Sequence, residues 1–233
     1  MSTENLKRFK DRIQAGKMVA DKLAAYAASD RALVLGLPRG GVPIGYYVAK
    51  KLQIPLDVLL VRKLGLPGHE EYAIGAIASG GVCILRAEAL DVLDVAPATI
   101  ESIAQRELHE IARREKLYRG TRPALQLRER IVILVDDGLA TGATMEVAVQ
   151  VVQAANPMRL IVAVPVGSRE ACEKLRLLVD EFICLNSPDR FYAVGQWYQS
   201  FEQVTDEEVV ASLAQAEREI APRARSRQFS AST

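Results

Sequence analysis

The sequence predicts an α/β protein with a mainly parallel, twisted sheet flanked by helices. Short apolar runs rich in Val, Ile and Leu alternate along the chain with segments of helical spacing. Two of these runs, 32–37 and 131–135, lead into glycine-containing turns, and a helical pattern follows each turn. Such alternation favours parallel pairing with helices on both faces of the sheet. Ligands of such sheets bind at the carboxyl ends of the strands, where both turns are expected to lie.

Local spacing predicts each element in turn. The apolar runs predict strands at 32–37, 56–61, 73–78, 82–85, 131–135, 160–165 and 181–185. The 3.6-residue periodicity predicts helices at 5–28, 45–52, 98–118, 144–155 and 169–178. Residues 1–221 are expected to form a single domain, and the stretch of Arg and Ser that follows predicts a disordered tail over 222–233.

Composition restricts the class of protein. A chain of 233 residues with 49% hydrophobic content can bury one full α/β core. The net charge of +1 provides no general attraction for nucleic acid or membrane. The three cysteines lie far apart without the spacing of a metal site and are expected to be reduced: Cys83, Cys172 and Cys184. The sequence shows no leader or long apolar span, so a soluble cytoplasmic protein is expected. His69 and His109 stand alone, which argues against a zinc site.

The most informative segment is the strand 131–135 with the residues that follow it. Five apolar residues are followed by Asp136 and Asp137, then by a loop of small residues that leads into a helix. Free N–H groups at a helix N-terminus bind phosphate, and Thr141 and Thr144 add hydroxyl donors. The carboxylates suit the hydroxyls of a sugar, or a cation that arrives with the ligand. The alternative is a solvated acid pair beside an ordinary helix cap.

Residues 131–145 resemble the 5-phosphoribosyl-1-pyrophosphate (PRPP) motif of the type I phosphoribosyltransferases. The resemblance implies the fold of that family with a small hood, and Asp136 and Asp137 as the residues that hold the ribose hydroxyls, with catalytic roles. It further implies a Mg²⁺ cofactor, held by these two carboxylates partly through ligand and water. The 5-phosphate would lie on the loop formed by Gly138, Leu139, Ala140, Thr141, Gly142, Ala143 and Thr144.

A second glycine-containing turn is expected to bind the pyrophosphate. Arg39 is the cation of this turn, and its planar guanidinium suits phosphate oxygens. Gly40 and Gly41 are expected to expose N–H groups to the same anion. A plain left-handed turn is the alternative. The Arg-Gly-Gly sequence resembles the pyrophosphate loop of xanthine phosphoribosyltransferases, which implies a catalytic Arg39 and a cis peptide, expected here between Arg39 and Gly40.

Two further segments are candidates for the same site. Arg62 and Lys63 follow the run 56–61 and would contact pyrophosphate if they end a parallel strand; solvation at the surface is the alternative. Tyr118 and Arg119 precede the strand 131–135, and by position they resemble the mobile loop that closes over the substrate in the family.

The nucleobase is expected under a hood formed by residues 186–205 and the N-terminal helix. Phe191, Trp197 and Tyr198 are the candidates for stacking on the base. A small aromatic core or a contact in a homodimer is the alternative. Ala140 stands where six-oxopurine enzymes carry an acid and resembles the adenine- and orotate-type enzymes instead, so the resemblance does not select one base.

Taken with the resemblance, these residues predict a Mg²⁺-dependent transferase that joins the ribose 5-phosphate of PRPP to a nitrogenous base, with a purine-like nucleobase and purine salvage expected. Pyrophosphate is the second product. The alternative is a PRPP- or nucleotide-sensing regulator on the same fold, without catalysis. The near-neutral charge argues against the nucleic-acid surface that such a regulator needs.

Overall fold

The computed structural model of the protein describes residues 8–66, 69–79, 82–85 and 97–230. Its main sheet is fully parallel and confirms the predicted fold class. With strands numbered along the chain, the spatial order is β2-β1-β6-β7-β8. These strands are β1 Ala32–Gly36, β2 Leu56–Val58, β6 Ile131–Val135, β7 Arg159–Val166 and β8 Glu181–Asn186.

A second sheet of three antiparallel strands follows β2. It consists of β3 Val61–Leu66, β4 His69–Ala78 and β5 Val82–Leu85, with β4 in the centre. The prediction of one strand over 56–61 is therefore wrong, because the chain leaves the parallel sheet after Val58 and Val61 already pairs with Ala78. The apolar run continues through both sheets, so hydrophobicity alone does not mark the boundary between them.

Six α-helices lie in the described part of the chain. They are α1 Arg12–Lys22, α2 Gly41–Leu52, α3 Pro97–Arg119, α4 Ala143–Ala154, α5 Arg169–Arg176 and α6 Asp206–Ser230. The first helix begins later than predicted, because the Asp11 side chain accepts a hydrogen bond from the Gln14 amide (2.8 Å) and caps it there; residues 5–7 of the predicted helix lie outside the described residues. None of these described helices is long and apolar enough to cross a membrane.

The helix α6 is the largest difference from the predicted element order. The predicted elements do not include it, and it continues to Ser230, so residues 222–230 are helical and the expectation of a disordered tail is wrong there. Arg is a good helix former and occurs three times in residues 222–230, together with one Ala and one Gln. Residues 231–233 of the predicted tail lie outside the described residues.

The core has two layers, one on each face of the parallel sheet. Val34 and Ile133 pack with residues of α1, α2 and α6 on one face. Leu35 and Leu134, next to them in sequence, pack with residues of α4 and α5 on the other face. Strands buried on both faces explain the nearly continuous apolar runs in the sequence.

The segment after β8 packs against the start of the chain. The Phe9 amide donates to the Trp197 carbonyl (2.8 Å), and the Gln199 amide donates to the Phe9 carbonyl (2.8 Å). The Tyr198 ring lies 5.5 Å from the Phe9 ring and 4.9 Å from the Phe201 ring, centroid to centroid. We call residues 8–12 together with 190–202 the hood segments. They lie beside the carboxyl end of β6, because Val194 contacts Gly138.

Candidate active site

The acid pair lies at the carboxyl end of β6, in the centre of the parallel sheet. The Asp137 amide donates to Oδ1 of Asp136 (2.8 Å). Oδ2 of Asp137 accepts from Nε and Nη2 of Arg12, at 2.9 and 2.8 Å. Burial, and then the charge of Asp137, raise the pKa of Asp136 well above its usual range. Burial also raises the pKa of Asp137, and the charge of Arg12 opposes this effect.

The turn after β1 lies directly against the acid pair. A Cβ atom placed on Gly40 would lie 1.9 Å from Oδ2 of Asp137, and one placed on Gly41 would lie 2.5 Å from the Val135 carbonyl oxygen. No side chain fits at either position, so the two glycines allow the close approach of this turn to Asp136 and Asp137. The structure therefore brings together the two motifs that the sequence places about a hundred residues apart.

The amides of the turn differ from the expectation in one respect. The Gly41 amide donates to the Leu37 carbonyl (3.0 Å) as α2 begins, so the expectation that both glycine amides face an anion is wrong for Gly41. The cis peptide bond joins Pro38 to Arg39 rather than Arg39 to Gly40, so its expected position is wrong by one residue.

The side chain of Arg39, on the same turn, is partly exposed and makes one long ionic contact. Its Nη1 lies 3.8 Å from Oδ1 of Asp206, the first residue of α6, and about two fifths of its side chain is exposed (38%). The same Asp206 oxygen accepts a hydrogen bond from the Tyr118 hydroxyl (2.6 Å). Burial, followed by this hydrogen bond, raises the pKa of Tyr118 to about 12.

The loop between β6 and α4 carries the residues that the sequence predicts to bind phosphate. Gly142 takes a left-handed conformation (φ +74°) at the N-terminus of α4, and an added Cβ would crowd Ala171 at 3.0 Å. The loop is fixed from behind, because the Leu139 amide donates to the Val166 carbonyl (2.9 Å) and the Ser168 hydroxyl donates to the Ala140 carbonyl (2.7 Å). The first amides of a helix have no acceptor within the helix, and here the Ala143 amide donates to Oγ1 of Thr141 (3.4 Å). Thr141 and Thr144 are both exposed.

Arg62 and Lys63 do not end a parallel strand. Both lie on β3 in the antiparallel sheet, where Arg62 pairs with the carboxylate of Glu107 on α3. The prediction that they stand at a carboxyl end beside the pyrophosphate turn is therefore wrong, because the chain has already changed sheets. Lys63 is exposed.

Tyr118 and Arg119 form the last turn of α3 and not a loop. Arg119 is buried, and it donates to both carboxylate oxygens of Asp57 (3.1 and 3.2 Å) and to Glu115 (2.9 Å). The assignment of these residues to a mobile loop is wrong, because position along the chain does not show where a side chain is buried.

The aromatic candidates for the base pocket separate into two kinds. Tyr198 is buried (3% exposed), and its hydroxyl donates to the Asp137 carbonyl (2.6 Å), so it supports the acid pair and offers no free ring face. Phe191 and Trp197 are half-buried at the edge of the core and remain candidates for stacking on a base. Nε1 of Trp197 is buried and has no hydrogen-bond partner among the described residues.

Sequence reasoning missed three residues that support the site: Arg12, Ser168 and Asp206. Ser168 has a local signal, since it caps α5, but its second bond to Ala140 spans 28 positions. Arg12 is 125 positions from its partner Asp137, and no pattern within a single sequence links the two.

Comparison with known proteins identifies the family of this site. Residues 2–196 match the model of the phosphoribosyl transferase domain. Two curated proteins of Mycobacterium tuberculosis, MT0597 and Rv0571c, are named provisionally as phosphoribosyl transferases. Each is 43% identical to this chain over 216 residues, or 93% of the chain. The chain spans about half (48%) of the length of these relatives.

A solved structure has the same fold as this chain. The protein TT1426 from Thermus thermophilus superposes with a TM-score of 0.81 at 44% identity, over 89% of this chain and 98% of that one. The match to the family model covers most of the chain, and the motif residues lie together at one edge of the sheet. The chain therefore belongs to the phosphoribosyl transferase domain family.

Proposed function

We propose that the protein transfers the ribose 5-phosphate of PRPP to a nitrogenous base and releases pyrophosphate. The observation that carries this proposal is the contact between the turn at Gly40 and the carboxylate of Asp137. A ligand with a ribose on the acid pair and a phosphate on the α4 loop would place its pyrophosphate at this turn.

Each part of the substrate is bound by a different group of residues. Asp136 and Asp137 accept from the ribose hydroxyls, and the amides of the α4 loop with Thr141 and Thr144 hold the 5-phosphate. Arg39 and the Gly40 amide hold the pyrophosphate, where Arg39 exchanges its long contact with Asp206 for phosphate oxygens. Bonds to a leaving group become stronger as its charge develops, so they favour departure of the pyrophosphate.

The chemistry of the acid pair fits Mg²⁺ in part. Among the described residues, no group of three or more His, Cys, Asp or Glu side chains could hold a metal ion. Mg²⁺ commonly takes only one or two carboxylates and completes its shell with water and substrate phosphates. Asp136 and Asp137 would hold it, and the ion would neutralise phosphate charge.

The acceptor base is proposed to be purine-like, since the Arg39–Gly41 sequence resembles the xanthine enzymes, although Ala140 matches both the adenine-type and the orotate-type loop. The half-buried rings of Phe191 and Trp197 offer a surface for a planar base.

A screen of bases tests the proposed activity. Pyrophosphate release from PRPP would be followed with Mg²⁺ and a panel of purines, pyrimidines and other nitrogenous bases. At least one base, a purine first, should release pyrophosphate. Tight PRPP binding without release for any base would favour the sensing regulator instead.

A further inference from the structure

Arg12 is placed to control the orientation of Asp137. Its Nε and Nη2 both bond to Oδ2 of Asp137 (2.9 and 2.8 Å), and its Nη1 donates to the Glu202 carbonyl (2.7 Å). The guanidinium also lies 3.9 Å from the centroid of the Phe201 ring. These contacts use its polar edge and one face, and only 13% of the side chain is exposed. The arginine is therefore fixed in one place.

The main chain of the same aspartate is fixed from a second direction. The Tyr198 hydroxyl donates to the Asp137 carbonyl (2.6 Å), and the Tyr198 ring is packed between Phe9 and Phe201. Arg12 and Tyr198 both belong to the hood segments, and Nη1 of Arg12 links the two segments through the Glu202 carbonyl. Asp137 is thus held by the hood through its side chain and through its backbone.

The two hydrogen bonds from Arg12 occupy one oxygen of the Asp137 carboxylate and leave the other for a ligand. Both end on Oδ2, and a carboxylate has acceptor capacity on two oxygens. Oδ1 is then the oxygen that is available in a fixed direction for a hydroxyl of the ligand. The Gly40 turn packs against this carboxylate but donates no hydrogen bond to it, so among the described residues Arg12 is the side chain that fixes its orientation by hydrogen bonds.

We propose that Arg12 is a positioning residue that fixes the Asp137 carboxylate for the ribose hydroxyls, with Tyr198 fixing the backbone beneath it. The proposal rests on the proposed function, since it assumes a ribose on the acid pair. It implies that the hood acts on ribose recognition as well as on the base. Arg12 itself touches neither the 5-phosphate loop nor the pyrophosphate turn in any of its hydrogen bonds.

Selective loss of affinity for hydroxylated ligands tests this role. Titration calorimetry with Mg²⁺ would compare PRPP, ribose 5-phosphate, 2,3-dideoxyribose 5-phosphate and pyrophosphate on the wild type and Arg12→Gln. One charge-assisted contact corresponds to roughly ten- to a hundredfold in affinity. We expect a loss of about tenfold for the first two ligands, and a change within about twofold for the dideoxy sugar and pyrophosphate.

Two variants and one control complete the experiment. Arg12→Lys keeps the charge but not the two-nitrogen contact, and should restore part of the lost affinity. Tyr198→Phe keeps the packed ring, should show the same selectivity with a smaller loss, and decides the question if Arg12→Gln does not fold. Arg169→Gln removes an exposed arginine that pairs with Asp189 and should change no affinity.

The outcomes separate the two proposals. Equal loss for all four ligands, or no loss for any, would overturn the positioning role while leaving the proposed function intact. If the wild type binds neither PRPP nor ribose 5-phosphate, the proposed function fails, and the role of Arg12 fails with it.

Discussion

The two glycine-containing turns and the hood hold the groups of the proposed site in different ways. In the turns after β1 and β6, amides and glycines within a few residues of a strand end form the surface. In the hood, side chains reach across the molecule, as Arg12 does to Asp137 over 125 positions. A turn of the first kind is specified by its own sequence. The contacts of the hood, in contrast, form only once the whole chain has folded.

The acid pair is the point at which both regions meet, so its removal should have the largest effect. Asp136→Asn combined with Asp137→Asn should abolish the rise in melting temperature that PRPP and Mg²⁺ produce in the wild type, because both acid groups proposed to accept from the ribose hydroxyls are replaced by amides. Differential scanning fluorimetry measures this shift. Asp189→Asn, which removes an exposed carboxylate, is the control. An unchanged shift in the double variant would remove Asp136 and Asp137 from the site.

Gly40→Ala tests the contact between the turn and the acid pair without altering any charge. The new methyl group would lie 1.9 Å from Oδ2 of Asp137, so either the turn or the carboxylate must move. Overpacking of this kind costs about 1–3 kcal/mol, and here it should appear as a large loss of PRPP affinity.

Gly120→Asn is the matched control for Gly40→Ala. Gly120 is left-handed (φ +57°) with nothing within 4 Å of an added Cβ, and asparagine tolerates this conformation. PRPP affinity should be unchanged there. Equal affinity in Gly40→Ala would show that the two motifs are not in contact when the ligand binds.

Arg39→Ala separates the pyrophosphate turn from the rest of the site. PRPP and pyrophosphate should bind about ten- to a hundredfold more weakly, because one charge-assisted contact of roughly 1.5–3 kcal/mol is lost. Ribose 5-phosphate should be affected much less. Asp206→Asn, which frees Arg39 from its long contact, should not weaken pyrophosphate. Equal weakening of all three ligands by Arg39→Ala would indicate a distorted turn instead.

The difference between the two regions also decides what the sequence can predict. Asp136, Asp137 and the loop to Thr144 are recognisable because strand, acids, glycine and helix follow one another within fifteen residues. The predicted positions of Arg62 and Arg119 are wrong for two reasons. Arg62 lies beyond the change of sheet and pairs with Glu107, and Arg119 is buried against Asp57. Neither event leaves a mark in the local pattern.

The helix α6 is a different case, since its signal is present in the sequence. Val209, Leu213, Ala216 and Ile220 are buried and recur at helical spacing. The charged residues between them and Pro222 near the end obscure the pattern. Tyr198, in contrast, carries no such signal in the sequence. Its ring packs against Phe9 and its hydroxyl donates to Asp137, both distant in sequence, so only the folded structure shows its role.

The smallest expected effect lies in the hood, where the ring of Trp197 is proposed to meet the base. Trp197 is the only tryptophan in the chain, so intrinsic tryptophan fluorescence reports on this position alone. Its emission should change when a nucleoside monophosphate binds and much less when ribose 5-phosphate binds. Trp197→Leu should raise the KM of the acceptor base about fivefold, since base stacking is worth about 1–3 kcal/mol and a half-buried ring offers only part of its face. PRPP affinity should stay unchanged. If instead PRPP affinity falls with the KM effect absent, Trp197 supports the hood in the same way as Tyr198, and Phe191 becomes the remaining candidate for stacking on the base.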